Sequence, residues 1–185
     1  MIKINFEDIF EPLEVSEDRS FTTFYSTVTA GEDVLIKVEI APLSDPLLPD
    51  VYNLAFGPLN NKGGIDDTAN VSHRDIGKMF STVLSFALFF LRHNTNPNIS
   101  IGLDGSNDVR AYLYHRMFQT NRTHLDEFFS SIGVDWYVRL LRNQDIERDE
   151  DGNAFFKPRP EPFDYKRANH DLYRYYMFKL KKQAI

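Results

Sequence analysis

Between Ser72 and Gln119 the apolar positions pass from helical spacing to alternation and back, which predicts helix, strand, helix. Ile76, Phe80, Val83, Ala87, Phe90 and Leu91 form one stripe, while Leu84, Phe86, Leu88 and Phe89 fill the other faces. A helix over 72–93 that is apolar nearly all round is a buried one. The run from Met79 to Leu91 falls short of the roughly 20 residues that a membrane span needs and carries Ser81, Thr82 and Ser85. Ser72 and Asp75 have the spacing of a capping box at its start. Pro97 and its neighbouring asparagines break the helix, and Ile99, Ile101 and Leu103 then alternate as a short strand. Ser106 or Asn107 caps a second helix through Val109, Leu113, Met117 and Phe118. A strand turning through Gly105-Ser106 into a helix gathers free N–H groups at one point, with Arg110 close by, an arrangement suited to an anion.

On the N-terminal side, Ile2, Ile4 and Phe6 alternate as a short strand within an acidic arm over residues 1–20. That arm carries six acidic side chains against two basic ones, a net of −4, and reads as a solvated segment lying over the domain. Phe21–Thr29 and the alternating Val34, Ile36, Val38 and Ile40 predict a hairpin. Val51–Phe56 is a third strand stopped by Gly57-Pro58. On the C-terminal side, Leu125, Phe128, Phe129 and Ile132 predict a third helix from Thr123 with Gly133 as its cap. Val134–Leu141 is a strand, Asp151-Gly152-Asn153 a tight turn and Phe155-Phe156 the start of a partner strand. Pro158, Pro160 and Pro162 mark an extended linker. Leu172, Tyr175, Tyr176 and Lys179 have helical spacing, so residues 163–185 are expected to form a basic, aromatic terminal helix after a single domain over 1–162. Lys166, Arg167, Arg174, Lys179, Lys181 and Lys182 face only Asp164 and Asp171 there, a net of +4.

Composition narrows the chemistry. The chain has 185 residues, 42% of them hydrophobic and 26% charged, which suits one globular domain. The absence of cysteine removes disulfides, thiolate nucleophiles and cysteine-based zinc sites, and fits a cytoplasmic protein. Net charge −6 argues against general nucleic-acid binding. No Gly-x-Ser-x-Gly elbow is present. Asp66, Asp67, His73 and Asp75 cluster in sequence, but at no spacing used by an EF-hand or zinc motif.

Arg74-Asp75-Ile76-Gly77-Lys78-Met79 resembles the Arg/Gln-x-x-Gly-x-Gly/Ala signature of the GCN5-related N-acetyltransferase superfamily. Asn107 with Leu113-Tyr114 is similar to that superfamily's later Asn-then-Leu-Tyr segment. The resemblance implies that Arg74, Gly77, Lys78, Met79 and Asn107 surround the pyrophosphate of acetyl-coenzyme A, with Tyr114 as general acid. Met79 stands where that signature has a small residue, and the third strand supplies no carboxylate base. Tyr52-Asn53-Leu54-Ala55-Phe56-Gly57, with Gly105-Ser106 and Arg110, also resembles a bacterial family described as a domain of unknown function.

The expectation is thus an α+β domain, a mixed, mostly antiparallel sheet around the buried helix, with an acetyltransferase-like order of elements. The first functional expectation is a non-catalytic bacterial or phage accessory protein that binds a protein partner or itself through its charged ends, without a membrane. An acyl-coenzyme A-dependent N-acyltransferase is the alternative, and nucleic-acid binding by the basic tail a weaker one.

Overall fold

Val34, Ile36, Val38 and Ile40 alternate because strand β3 (Asp33–Pro42) puts one face on the core and the other, with Lys37 and Glu39, toward solvent. It pairs on one side with β2 (Phe21–Thr27), itself flanked by β1 (Glu14–Val15), and on the other with β4 (Val51–Pro58). In this computed structural model, which describes residues 2–66, 69, 71–105 and 107–181, these strands form half of one sheet. The chain then makes helix α1 (Ile76–His93), strand β5 (Ser100–Asp104), helices α2 (Asp108–Thr120) and α3 (Arg122–Leu125), and strands β6 (Phe129–Val138), β7 (Phe156–Pro162) and β8 (Tyr175–Leu180). The order across the sheet is β1-β2-β3-β4-β5-β8-β6-β7. Every neighbouring pair is antiparallel except β4 and β5. The protein is a single α+β domain with a mostly antiparallel sheet, as expected.

α1 and α2 pack on one face of the sheet. Met79, Phe80, Val83, Leu84, Ala87 and Leu91 of α1 meet Phe24, Ile36, Ile40, Ile101, Tyr176 and Phe178 there. Burying each large apolar side chain contributes about 1.5–3 kcal/mol, so this face holds most of the stabilising burial. Asp75, not Ser72, is the α1 N-cap: its side chain accepts from the Lys78 N–H. The Ser72 carbonyl accepts instead from Thr29 N–H and Oγ1. No helix among the described residues is long and apolar enough to cross a membrane.

The tail differs most from the sequence expectation. Residues 175–180 form no helix but a strand inserted between β5 and β6. Tyr176 and Phe178 face the helices, while Tyr175 and Met177 join Leu48, Val51 and Val134 on the open face. A strand covered on both faces shows an unbroken apolar run, and that run matched helical spacing by coincidence. The predicted third helix ends at Leu125; Phe129 and Ile132 belong to β6, and Gly133 sits in mid-strand beneath the Tyr173 ring. The proline linker is edge strand β7, with Pro158, Pro160 and Pro162 opposite Trp136, Val134 and Ile132. The three prolines share one parity, which leaves Lys157, Arg159 and Glu161 to supply the ladder N–H groups. Gly57 and Pro58 are the last two paired residues of β4, opposite Lys37 and Ile36, so the strand runs through them before it stops.

Residues 2–10 of the N-terminal arm lie over the domain without forming the expected strand, and the arm joins the sheet only at β1. Side chains of the body meet its backbone: Ile4 N–H donates to Asn121 Oδ1 (2.8 Å), Asn5 N–H to Ser81 Oγ (2.9 Å) and Phe10 N–H to Thr82 Oγ1 (2.9 Å). Ile4 is buried, and Phe10 stacks on Phe24.

Candidate functional site

β4 and β5 are paired only from Val51–Ser100 to Asn53–Gly102. Beyond that point β4 continues to Pro58 on β3, and β5 continues to Asp104 on β8. The sheet therefore forks at the carboxyl ends of its two parallel strands, the place where parallel strands that diverge leave a crevice for ligands. Asn53 and Asp104 stand at the fork and line hollows on both sides of the sheet.

The helix-side hollow, about 340 Å³, is lined by Phe56, Met79, Phe80 and Tyr114, with Asp66, His73 and Arg110 among the polar groups. Tyr114 is buried among Phe56, Phe80 and Tyr176 in edge-to-face contacts. Burial pushes its hydroxyl up to about 12, with Arg110 opposing and Asp104 reinforcing the shift, so it stays protonated at neutral pH. His73 Nδ1 lies 2.8 Å from Ser26 Oγ, and burial lowers its pKa.

Of the residues expected at the pyrophosphate, Met79 lines this hollow, whereas Arg74, Gly77, Lys78 and Asn107 do not. Arg74 is exposed, and its N–H donates to the Thr27 carbonyl. Gly77 packs under the N-terminal arm: a Cβ there would lie 2.9 Å from the Lys3 carbonyl oxygen. Lys78 Nζ pairs with Asp8 (2.8 Å) over the Phe10 ring. Asn107 caps α2 by accepting from the Arg110 N–H. Gly105 is required by close packing against Tyr176 and Ala111. The arm and two carboxylates, Asp75 and Asp8, thus stand at the α1 N-terminus, where an incoming anion would need room and positive potential. Asp66 and His73 line the hollow and Asp75 is spent as a cap; Asp67 lies outside the described residues, among which no three such side chains converge as metal ligands.

The open-side hollow, about 880 Å³, was not foreseen from the sequence. Leu43, Leu48 and Tyr175 form its floor, Trp136 and Phe156 its wall, and Asp45, Asn53, Asp104 and Arg174 its polar margin. Tyr175 lies across Gly102, where any side chain would collide with its ring and hydroxyl. Its hydroxyl reaches Asn53 Oδ1 at 3.4 Å. Burial first, then the charges of Asp104 and Asp45, raise its pKa well above the ordinary value. Trp136 and Phe156 remain 37% and 57% exposed, more than a core position allows. Gly102, set between Ile101 and Leu103 inside strand β5, is the sequence signal that marks this floor.

The basic tail presents no continuous surface. Arg167 is nearly buried, bound to Asp135 and Asp171 and stacked on Tyr173. Arg174 pairs with Asp108 (2.6 Å), and Lys181 Nζ donates to the Asp126 carbonyl. Lys166 and Lys179 are exposed, on different segments, and Lys182 lies outside the described residues.

The model of a family of unknown function (DUF6934) matches residues 8–156, and the chain belongs to that family. This bears out the sequence likeness to a domain of unknown function; no match supports the acetyltransferase resemblance. No curated protein and no solved structure matches the chain. The fork and the wall residue Trp136 lie within the matched residues, whereas β8 lies beyond them.

Proposed function

Because membership of this family brings no activity with it, we propose a function from the site alone: the protein is a binding module that receives a segment of a partner protein in the open-side hollow. One observation carries this reading, the exposed Trp136 and Phe156 flanking a hollow that no helix among the described residues lines. Aromatic side chains left half in water beside a groove are characteristic anchors of protein recognition. The contact is thereby moved from the charged ends to the face opposite the helices. The test is a comparison between the native chain and a Trp136→Ala/Phe156→Ala variant with the same unfolding midpoint. Proteins retained by the native chain and lost by the variant support the reading; an identical set from both overturns it.

A second reading is favoured by one separate observation, the buried Tyr114 side chain that lines the helix-side hollow. In an acyl-coenzyme A-dependent transferase Tyr114 would return a proton to the departing thiolate. Gly77→Glu is a poor test, since the new side chain would strike the arm at Lys3. Thermal unfolding with 1 mM acetyl-coenzyme A is clean: a ligand at 100 times its dissociation constant adds about 2.7 kcal/mol. No shift disposes of the transferase. A shift with acyl transfer that Tyr114→Phe abolishes establishes it.

A further inference from the structure

The residues around the open-side hollow offer two kinds of surface at once. Its floor and wall are apolar and aromatic, and Asp45 and Asp104 stand at its margin. Trp136 lies diagonally across the β6–β7 ladder from Phe156, whose direct partner is Val138, so the two rings flank one stretch of the groove. Arg174 is the single basic lining residue, and its Nη1 donates to Asp108. We propose that the hollow holds a lysine or arginine side chain of the partner, presented next to an aliphatic residue. The inference rests on the binding reading above and adds the chemistry of what is bound.

An organic cation with an aliphatic stem satisfies each part of the site. Its stem covers Leu43, Leu48 and the Tyr175 ring, and its charged head meets the two aspartates. The indole face adds attraction for a cation, and it is the best of the aromatic side chains for that purpose. Asp45, Asp104 and Tyr175 line the same hollow, and both carboxylates add to the burial that raises the tyrosine's pKa. A volume of about 880 Å³ exceeds one side chain, which leaves space for the aliphatic neighbour. An acidic side chain would face Asp45 and Asp104 in a partly desolvated groove and be rejected.

Trp136 is the only tryptophan in the chain, so its fluorescence reports occupancy without a label. The full chain is titrated with acetyl-Leu-Arg-Leu amide and with the same peptide carrying norleucine or glutamate in the central position. The arginine peptide should give a saturable change that weakens as salt rises, with binding at least about tenfold tighter than norleucine, the equivalent of one lost charge contact. The glutamate peptide should give none. Asp45→Asn/Asp104→Asn should weaken the arginine peptide at least about tenfold; Asn at 45 keeps the Oδ1 that accepts from the Leu47 N–H. Should the double variant unfold, Asp104→Asn alone provides the same comparison at the exposed aspartate. Equal binding of arginine and norleucine peptides overturns the cation inference and leaves the binding reading standing. No saturable change with any of the three peptides up to millimolar concentration overturns both.

Discussion

Residues 2–10 and the stretch from Leu172 to Lys181 both cross the body of the fold, and they are held by opposite means. Residues 2–10 make no ladder; side chains of Asn121, Ser81 and Thr82 meet their backbone one group at a time. The C-terminal stretch becomes strand β8, hydrogen-bonded on both edges and buried on both faces. Their charges, opposite in sign, do not unite them: Asp8 pairs with Lys78 and Arg174 with Asp108. A segment attached by separate side chains detaches in steps, whereas a central strand is lost only with the sheet.

This contrast is sharpest at Tyr176. It is fully buried, in ring contact with Tyr114, Phe118, Phe163 and Tyr173, and its hydroxyl donates to the Ala111 carbonyl. Tyr176→Ala should cost about 3–5 kcal/mol, and chemical denaturation should show the whole domain losing stability in one transition. A loss confined to the C-terminal segment, seen as an early separate transition, would break the comparison. Next comes Gly102→Ala, which sets a methyl into the Tyr175 ring on β5 and should cost about 1–3 kcal/mol through overpacking. The Trp136 emission should change at the same time, because Tyr175 and Trp136 line one hollow.

For the arm, Asn121→Ala removes the acceptor of Ile4 N–H and the donor to the Ile2 carbonyl, at a cost of about 1–3 kcal/mol. Hydrogen exchange should then rise over residues 2–5 while the β8 amides keep their protection. Equal loss at both places would show that the ends are not independent.

The smallest effect is one of pH. His115 is 1% exposed with neither ring nitrogen partnered among the described residues; burial, then Arg116 and Arg167, lower its pKa, with Asp164 opposing. The unfolded chain therefore takes up the proton first. The stability that this histidine contributes is complete above its ordinary value of 6.5 and declines as pH falls below it toward the folded value. His73 acts in the same direction. The unfolding midpoint should fall from pH 7 to pH 5, and His115→Phe should flatten part of that slope. An unchanged slope would show that His115 titrates alike in both states.

How far the sequence foretold this depends on the range of the contacts involved. α1 was legible because its apolar stripe and its extra apolar faces are local and continuous. The hairpin of β2 and β3 was legible for the same reason, through alternation and a short turn. β8 was not, since Tyr175–Phe178 shows no alternation when both faces are covered, and nothing local distinguishes such a run from a helix. Tyr114 could be singled out as a residue, but its hollow exists only because β4 and β5 part after Asn53, a fact of long-range pairing. Gly77 matched a phosphate-binding pattern although its neighbour is Lys3, more than seventy positions earlier in the chain.

The place of β8 also bears on synthesis. β5 and β6 lie on either side of it in the finished sheet, yet both are made before it. Until Tyr175–Leu180 emerges, the nascent chain holds two partial sheets, each with a bare hydrogen-bonding rim. Unpaired strand rims are the surfaces through which chains associate wrongly. Translation that stops short of residue 175 would leave both rims open for good, so the product most prone to aggregate is the chain that lacks only this strand.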